Sequence, residues 1–146
     1  MRNLLDNLVD EHFDDAEHCD FYLKYGSTVI EISIKPYEED ESVVEVLAYC
    51  VQGVEPSSEL MRELLRLNTE IPIGAFSMLN NDVYYSHSFL SRDLQPDQLI
   101  ASLNSVATIS DLYDEKIIEK HGGQTAIDRL RSFSREFQSM PTPSPN

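Results

Sequence analysis

The sequence predicts an α+β protein in which helices pack against an antiparallel five-stranded sheet. Apolar residues recur at helical spacing in four segments, whereas five shorter segments have the alternation or the β-branched content of strands. The first three predicted strands are separated by short turns, which indicates an antiparallel meander. A chain of 146 residues can bury one core but is too short for two ordinary domains. The predicted order is α-β-β-β-α-β-β-α, followed by a C-terminal helix.

The first half of the chain is predicted to form one helix and three strands. Alternation predicts a strand from Phe21 to Tyr25 and a second strand through residues 30–34. Pro36 and the acidic run after it are expected to form a loop. Residues 43–51 are apolar on both faces, which predicts a central strand covered on both sides. The helix over residues 3–17 has one apolar stripe among acidic residues, formed by Leu4, Leu5, Leu8, Val9 and Phe13.

A second helix is predicted after residues 53–56 break the sheet. Ser57 or Ser58 can cap its N-terminus, and Asn68 is expected to end it. Pro72 prevents the helix from continuing. Gly74 is expected to allow a close backbone approach just before the next strand.

Two strands and two helices complete the prediction. Residues 74–79 and 83–90 form strands on either side of Asn80-Asn81-Asp82, a sequence that suits a tight hairpin. Pro96 favours the first turn of a long helix that ends at Gly122. Thr125 and Asp128 resemble a capping box at the start of a final amphipathic helix.

The composition excludes several classes of partner. The formal net charge is −15 and the pI is about 4.4, so a nucleic-acid backbone or an anionic membrane would repel the protein. No apolar run approaches the roughly 20 residues of a membrane span. The acidic N-terminal 20 residues do not resemble a signal peptide, and two cysteines, Cys19 and Cys50, make no disulfide framework. We therefore expect a cytoplasmic protein.

No catalytic motif is present, and we predict neither catalytic residues nor a cofactor. A weak metal candidate lies in the first predicted helix, where Glu11, Asp15 and His18 fall on one face at i, i+4 and i+7. No second helix supplies matching ligands, so we interpret the three residues as a solvated acidic face. Cys50 lies in an apolar strand and is expected to be buried.

The second predicted helix raises the question of oligomeric state. Its apolar residues cover much of its circumference, and a monomer of this size would leave some of them exposed. The C-terminal helix could cover the surplus, or a second copy or a client protein could. For a dimer, we expect contacts at or near this helix that involve Leu60, Leu64 and Leu67.

Several stretches of the second half match the pattern of a known family: Leu64 to Asn68, Ile71 to Phe76, Val83 to Tyr85, Leu90 and the long helix from Pro96. On these residues the chain resembles the YbjN family of small bacterial proteins, which have the fold of type III secretion chaperones. Secretion chaperones of this fold are small, acidic and dimeric, and they hold a partner protein in extended form against apolar surface. The resemblance therefore implies a chaperone-like domain over residues 1–121. A helical extension over residues 122–138 and a disordered proline-rich tail over 139–146 would follow it.

The leading hypothesis is a non-catalytic, homodimeric module that binds a client or partner protein. The alternative is a regulatory domain that responds to a small molecule or a metal. Its ligand would lie between the sheet and the helices near Tyr85 and His87, which share one face of their strand.

Overall fold

A computed structural model describes residues 21–139, with side chains described as far as residue 133. The predicted helix over residues 3–17, its metal candidates Glu11, Asp15 and His18, and residues 140–146 of the predicted tail lie outside the described residues. The predicted α+β class is confirmed, and a short 3₁₀ turn follows the last strand. The elements are β1 (Phe21–Tyr25), β2 (Thr28–Tyr37), β3 (Glu41–Val51), α1 (Ser58–Glu70), β4 (Ala75–Leu79), β5 (Asp82–Leu90), α2 (Pro96–His121) and α3 (Ala126–Ser139).

All neighbouring strands of the sheet are antiparallel, in the order β1-β2-β3-β5-β4. β3 is central, as its apolar sequence predicts. The loop predicted at Pro36 begins later, because Pro36 belongs to β2 and pairs with Ser42 of β3. β1 pairs only with residues 28–32, so β2 has a single neighbour at Pro36 and tolerates a residue that lacks an N–H group.

The two faces of the sheet are covered unequally. The inner face carries Val44, Val46 and Ala48, which are fully buried in a core that also includes Leu99 and Val106 of α2. The outer face was expected to be covered as well. Its β3 residues, at alternate positions from 43 to 49, are instead only partly buried.

α3 reaches the outer face near its own N-terminus. Gln52 and Gln124 exchange two backbone hydrogen bonds of 2.8 and 2.9 Å, and Ile127 N–H donates to the Ser27 carbonyl. The exposed fraction of its apolar stripe then rises from 3% at Ala126 to 56% at Phe133. Within the described residues, α3 therefore covers one corner of this face. No helix in the described part of the chain is both long and apolar enough to cross a membrane.

A polar cluster, in which Asp114 is buried and Asp111 is exposed, attaches the β1–β2 turn to α2. The Ser27 hydroxyl lies within hydrogen-bonding distance of the carboxyl groups of Asp111, at 2.9 Å, and of Asp114. Burial raises the pKa of Asp114, and this effect outweighs the opposing hydrogen bonds from Ser27 and the Glu115 N–H. One hydroxyl hydrogen serves only one acceptor at a time, so Ser27 cannot donate to both carboxyl groups at once.

We predict that Asp114→Asn removes part of the pH dependence of stability. The folded pKa of Asp114 lies above the ordinary value of about 3.9. Its contribution to the free energy of unfolding is therefore complete below the ordinary pKa and is lost as pH rises through the folded pKa. Urea unfolding between about pH 4 and 8 should show the wild type losing stability relative to Asp114→Asn as pH rises. The exposed Asp97→Asn variant is the control, and a constant difference between wild type and Asp114→Asn would contradict the prediction.

Candidate functional site

An apolar groove lies between α2 and the connector, which we define as residues 71–74 between α1 and β4. Residues 71–73 form one wall, and Asn104, Ser105, Thr108 and Ile109 form the other. We call it the connector groove, and its volume is about 360 Å³. None of the residues that line it has a titratable side chain. The lining therefore suits apolar and neutral polar groups, and it includes no general base that could activate the hydroxyls of Ser105 or Thr108.

The connector begins at the C-terminal end of α1, and Pro72 prevents that helix from continuing. The Ser57 side chain caps α1 by accepting a hydrogen bond from Leu60 N–H, as predicted. At the other end, Ile71 is extended, which is the conformation favoured before a proline, and its N–H donates to the Leu67 carbonyl. Asn68 was predicted to end this helix, but α1 continues to Glu70.

Asn68 instead binds the edge of the sheet. Its side-chain nitrogen donates to the Phe76 carbonyl at 3.1 Å, and its side-chain oxygen accepts from Phe76 N–H at 2.7 Å. An amide side chain matches one donor and one acceptor of a backbone residue, so it takes the place of a neighbouring strand at this position. These two bonds attach α1 to β4 and set the ends of the connector.

Tyr85 and Gly74 hold the middle of the connector. The Tyr85 hydroxyl donates to the Ile73 carbonyl, and burial raises the pKa of Tyr85 to about 12. Gly74 has φ +83°, and a Cβ there would lie 2.7 Å from the Ser86 carbonyl oxygen, so the predicted close approach is confirmed. The connector wall is thus held from both sides by contacts within the chain.

The opposite wall belongs to a stretch of α2 that has no charge. Residues 98–110 contain no Asp, Glu, Lys or Arg, although a quarter of the whole chain is charged. Asn104 and Thr108 are exposed, and Ser105 is half-buried. An exposed helix face normally carries charged residues, so this neutral face differs from the rest of the surface.

The comparisons with known proteins agree with this architecture. The family model described as "T3SS (YopN, CesT) and YbjN peptide-binding chaperone 1" matches residues 1–129. The chain belongs to this family. The crystal structure of YbjN from E. coli has the same fold, with a TM-score of 0.51 and 14% identity over 79% of this chain and 89% of that chain. A search of curated proteins found no match.

Membership confirms the resemblance found in the sequence. It leaves open which surface of this family member binds a partner, because a fold shared at 14% identity does not carry function from one protein to another. The site must therefore be argued from this chain's own side chains.

Leu60, Leu64 and Leu67, the leucines predicted for a dimer interface, lie in the core of the single chain. Their exposed fractions are 0%, 4% and 5%, so they have almost no surface left to bury against a second copy. The outer side of α1 instead exposes Met61 at 42% and Leu65 at 67%. An interface at this helix stays a prediction, and it would have to use these two side chains.

The alternative site near Tyr85 and His87 has little room for a ligand. Tyr85 is fully buried between Phe76 and the connector, with its ring centroid 4.8 Å from that of Phe76. His87 is half-buried beside Phe89, with ring centroids 6.1 Å apart. The two side chains share a strand face, as predicted, but the Tyr85 hydroxyl is already bonded to Ile73.

The remaining candidates for chemistry are the thiol of Cys50 and a metal-binding cluster. Cys50 is a buried free cysteine, as predicted, and burial raises its pKa to about 12, which suppresses the reactive thiolate. Residues 21–133, whose side chains the structure describes, contain no cluster of His, Cys, Asp and Glu that could hold a metal ion.

Sequence reasoning missed the wall of the groove on α2. Asn104, Ser105 and Thr108 have no motif, and the sequence records them only as polar positions of an amphipathic helix. The available signal was the neutral stretch over residues 98–110 in an otherwise highly charged chain.

We predict that Asn68→Ala destabilises the protein although Asn68 is only partly buried. The change leaves the Phe76 N–H and C=O without side-chain partners, which costs about 1–3 kcal/mol for buried groups. Urea unfolding should show this loss, and Asn68→Asp should also destabilise the protein, because its second carboxylate oxygen would face the Phe76 carbonyl oxygen in place of a donor. Thr69→Ala, on the exposed side of the same turn, is the control. Equal effects at positions 68 and 69 would contradict a role for Asn68 at the sheet edge.

Proposed function

We propose that this protein binds an extended segment of a partner protein in the connector groove and acts as a non-catalytic, chaperone-like module. The observation that carries the proposal is the preformed apolar wall of the connector, which faces a neutral, exposed stretch of α2. The name of the matched family, peptide-binding chaperone, supports the same kind of ligand.

The residues of the groove suit an extended peptide. Ile71, Ile73 and Ile109 offer apolar contact to side chains of the partner. Asn104, Ser105 and Thr108 can donate and accept hydrogen bonds, which an extended backbone needs because it has no internal partners. A rigid wall lowers the entropy lost on binding, since only the peptide has to be ordered.

Electrostatics select the partner. The protein carries a net charge of −15, so it attracts segments rich in Lys and Arg and repels acidic ones. Because the groove itself is neutral, we expect charge to act mainly on the rate of association, which would fall with added salt.

We predict that Ile73→Ser weakens peptide binding without unfolding the protein. Ile73 is 42% exposed, so its loss removes contact with a ligand more than it removes core packing. The probe is a fluorescein-labelled peptide of Lys, Ser and Thr that contains one Leu-Thr-Leu sequence, which we call the short probe. Fluorescence anisotropy should show about a tenfold weaker Kd, corresponding to about 1.4 kcal/mol.

Leu79→Ser is the matched control for the groove, since Leu79 is 64% exposed at the far end of β4. It should leave the Kd of the short probe unchanged. If both variants behave like the wild type, or if the wild type does not bind the probe, the connector groove is not the binding site.

We further infer that the protein is a cytoplasmic homodimer whose interface includes the outer side of α1. Met61 and Leu65 are large, exposed and neighbours on that helix, and such side chains favour contact with a second copy. The buried free thiol of Cys50 suits a reducing compartment.

We predict that the double change Met61→Glu and Leu65→Glu yields a folded monomer. Placing two carboxylates in an apolar interface costs far more than leaving them in water. Native mass spectrometry should show a dimer for the wild type and half that mass for the variant. Circular dichroism should be unchanged, whereas the control Leu60→Asp should unfold the chain because Leu60 is fully buried.

A wild-type monomer would contradict the dimer. If that monomer also retained a small-molecule or metal mass, the alternative function of a ligand-responsive domain would be favoured instead.

A further inference from the structure

A second apolar groove lies on the other side of α2. Leu23 and Tyr25 of β1 and Ile30 of β2 line its sheet side, and Ile100 and Leu103 line its helix side. We call it the strand groove, and its volume is about 140 Å³. Asn104 lines both the strand groove and the connector groove. The two grooves therefore meet at one residue on the exposed ridge of α2.

The ridge between the grooves is low and neutral. Its exposed residues are Ala101, Asn104 and Thr108, which are small and fall at i, i+3 and i+7 of α2. A Lys or Glu at these positions would stand between the grooves, but none occurs from residue 98 to residue 110. A chain could cross the helix here without displacing a charged side chain.

We propose that one extended peptide crosses α2 over Asn104 and places an apolar side chain in each groove. This inference rests on the proposed function, because it requires the connector groove to hold the first side chain. The Asn104 amide carries both donors and an acceptor, so it can bond the N–H and the C=O of the crossing backbone at the point where neither groove covers it.

The geometry of an extended chain sets the spacing of the two apolar side chains that enter the grooves, which we call the anchors. An α-helix with its side chains is about 10 Å across, and an extended chain advances about 3.3 Å per residue. Anchors three to four residues apart span that width. Because side chains alternate in an extended chain, only an even spacing directs both toward the protein, so the structure selects anchors at i and i+4.

Charge determines the residues around the anchors. Asp97 is exposed in the first turn of α2, close in sequence to Ile100 of the strand groove, and the whole protein is strongly acidic. Basic residues outside the anchors are attracted, whereas acidic ones are repelled. The ligand is therefore a peptide with two apolar residues four positions apart and Lys or Arg in its flanks.

The test compares the short probe with a long probe of the same length, in which one Ser, four residues after the second leucine of the Leu-Thr-Leu sequence, is replaced by a further leucine. The full-length protein should bind the long probe at least about tenfold more tightly, since one buried leucine adds that much. Ile100→Glu should abolish this gain and leave the Kd of the short probe unchanged. Ile73→Ser should weaken the binding of both probes.

Leu112→Glu is the matched control, because Leu112 is 49% exposed on α2 but lines neither groove. A third probe with the further leucine moved by one position should lose the gain, because its side chain then points away from the protein.

Other outcomes separate the two proposals. If both probes bind equally and Ile100→Glu has no effect, the crossing is wrong and the connector groove still binds peptide. If neither probe binds, the proposed function itself fails. If Ile100→Glu alters the native mass or the urea midpoint while the gain of the long probe persists, the strand groove holds a second copy or another segment of this chain, and the crossing is again overturned.

Discussion

Strand β4 ends the sheet, and the backbone groups along its open edge need hydrogen-bond partners. Asn68 supplies both partners to Phe76, at 2.7 and 3.1 Å, from a helix that lies beside the strand. This contact fixes where α1 lies and where the connector begins and ends. Tyr85 then binds the Ile73 carbonyl from the neighbouring strand. The groove wall is therefore a consequence of closing the sheet edge, and contacts within the chain hold it in place.

Net charge and the apolar wall would play different parts in the proposed recognition of a partner. Net charge acts over a distance comparable to the Debye length and favours the approach of basic segments. In the proposed complex, the neutral groove would act at contact and would favour apolar over charged side chains. A basic ligand without apolar side chains would associate quickly and also dissociate quickly. An apolar ligand without basic residues would associate slowly. This arrangement suits a protein that holds extended segments without chemically changing them.

The unequal covering of the sheet explains where surface remains for partners. α2 covers the inner face along β2, β3 and β5, and Leu60, Leu64 and Leu67 of α1 complete the core, whereas Leu65 stays exposed. The outer face receives α3 at one corner, and Leu130 and Phe133 stay exposed beyond it. YbjN keeps the same fold at 14% identity, because a fold needs a pattern of apolar residues and tolerates many sequences that provide it. Partner-binding surfaces depend on individual side chains and can diverge within that pattern.

Local rules in the sequence determined the elements and several of their ends. Alternation and apolar content identified the strands, Ser57 or Ser58 was the expected cap of α1, and Gly74 indicated a close approach, because each depends on neighbours within a few residues. Tertiary structure alone decided that Asn68 binds β4, that Leu60 is core, and that residues 71–73 face residues 104–109. These contacts join positions that are distant in sequence, or they determine which face of a helix is buried. Periodicity shows that a helix has an apolar face, but only the packed structure decides what covers it.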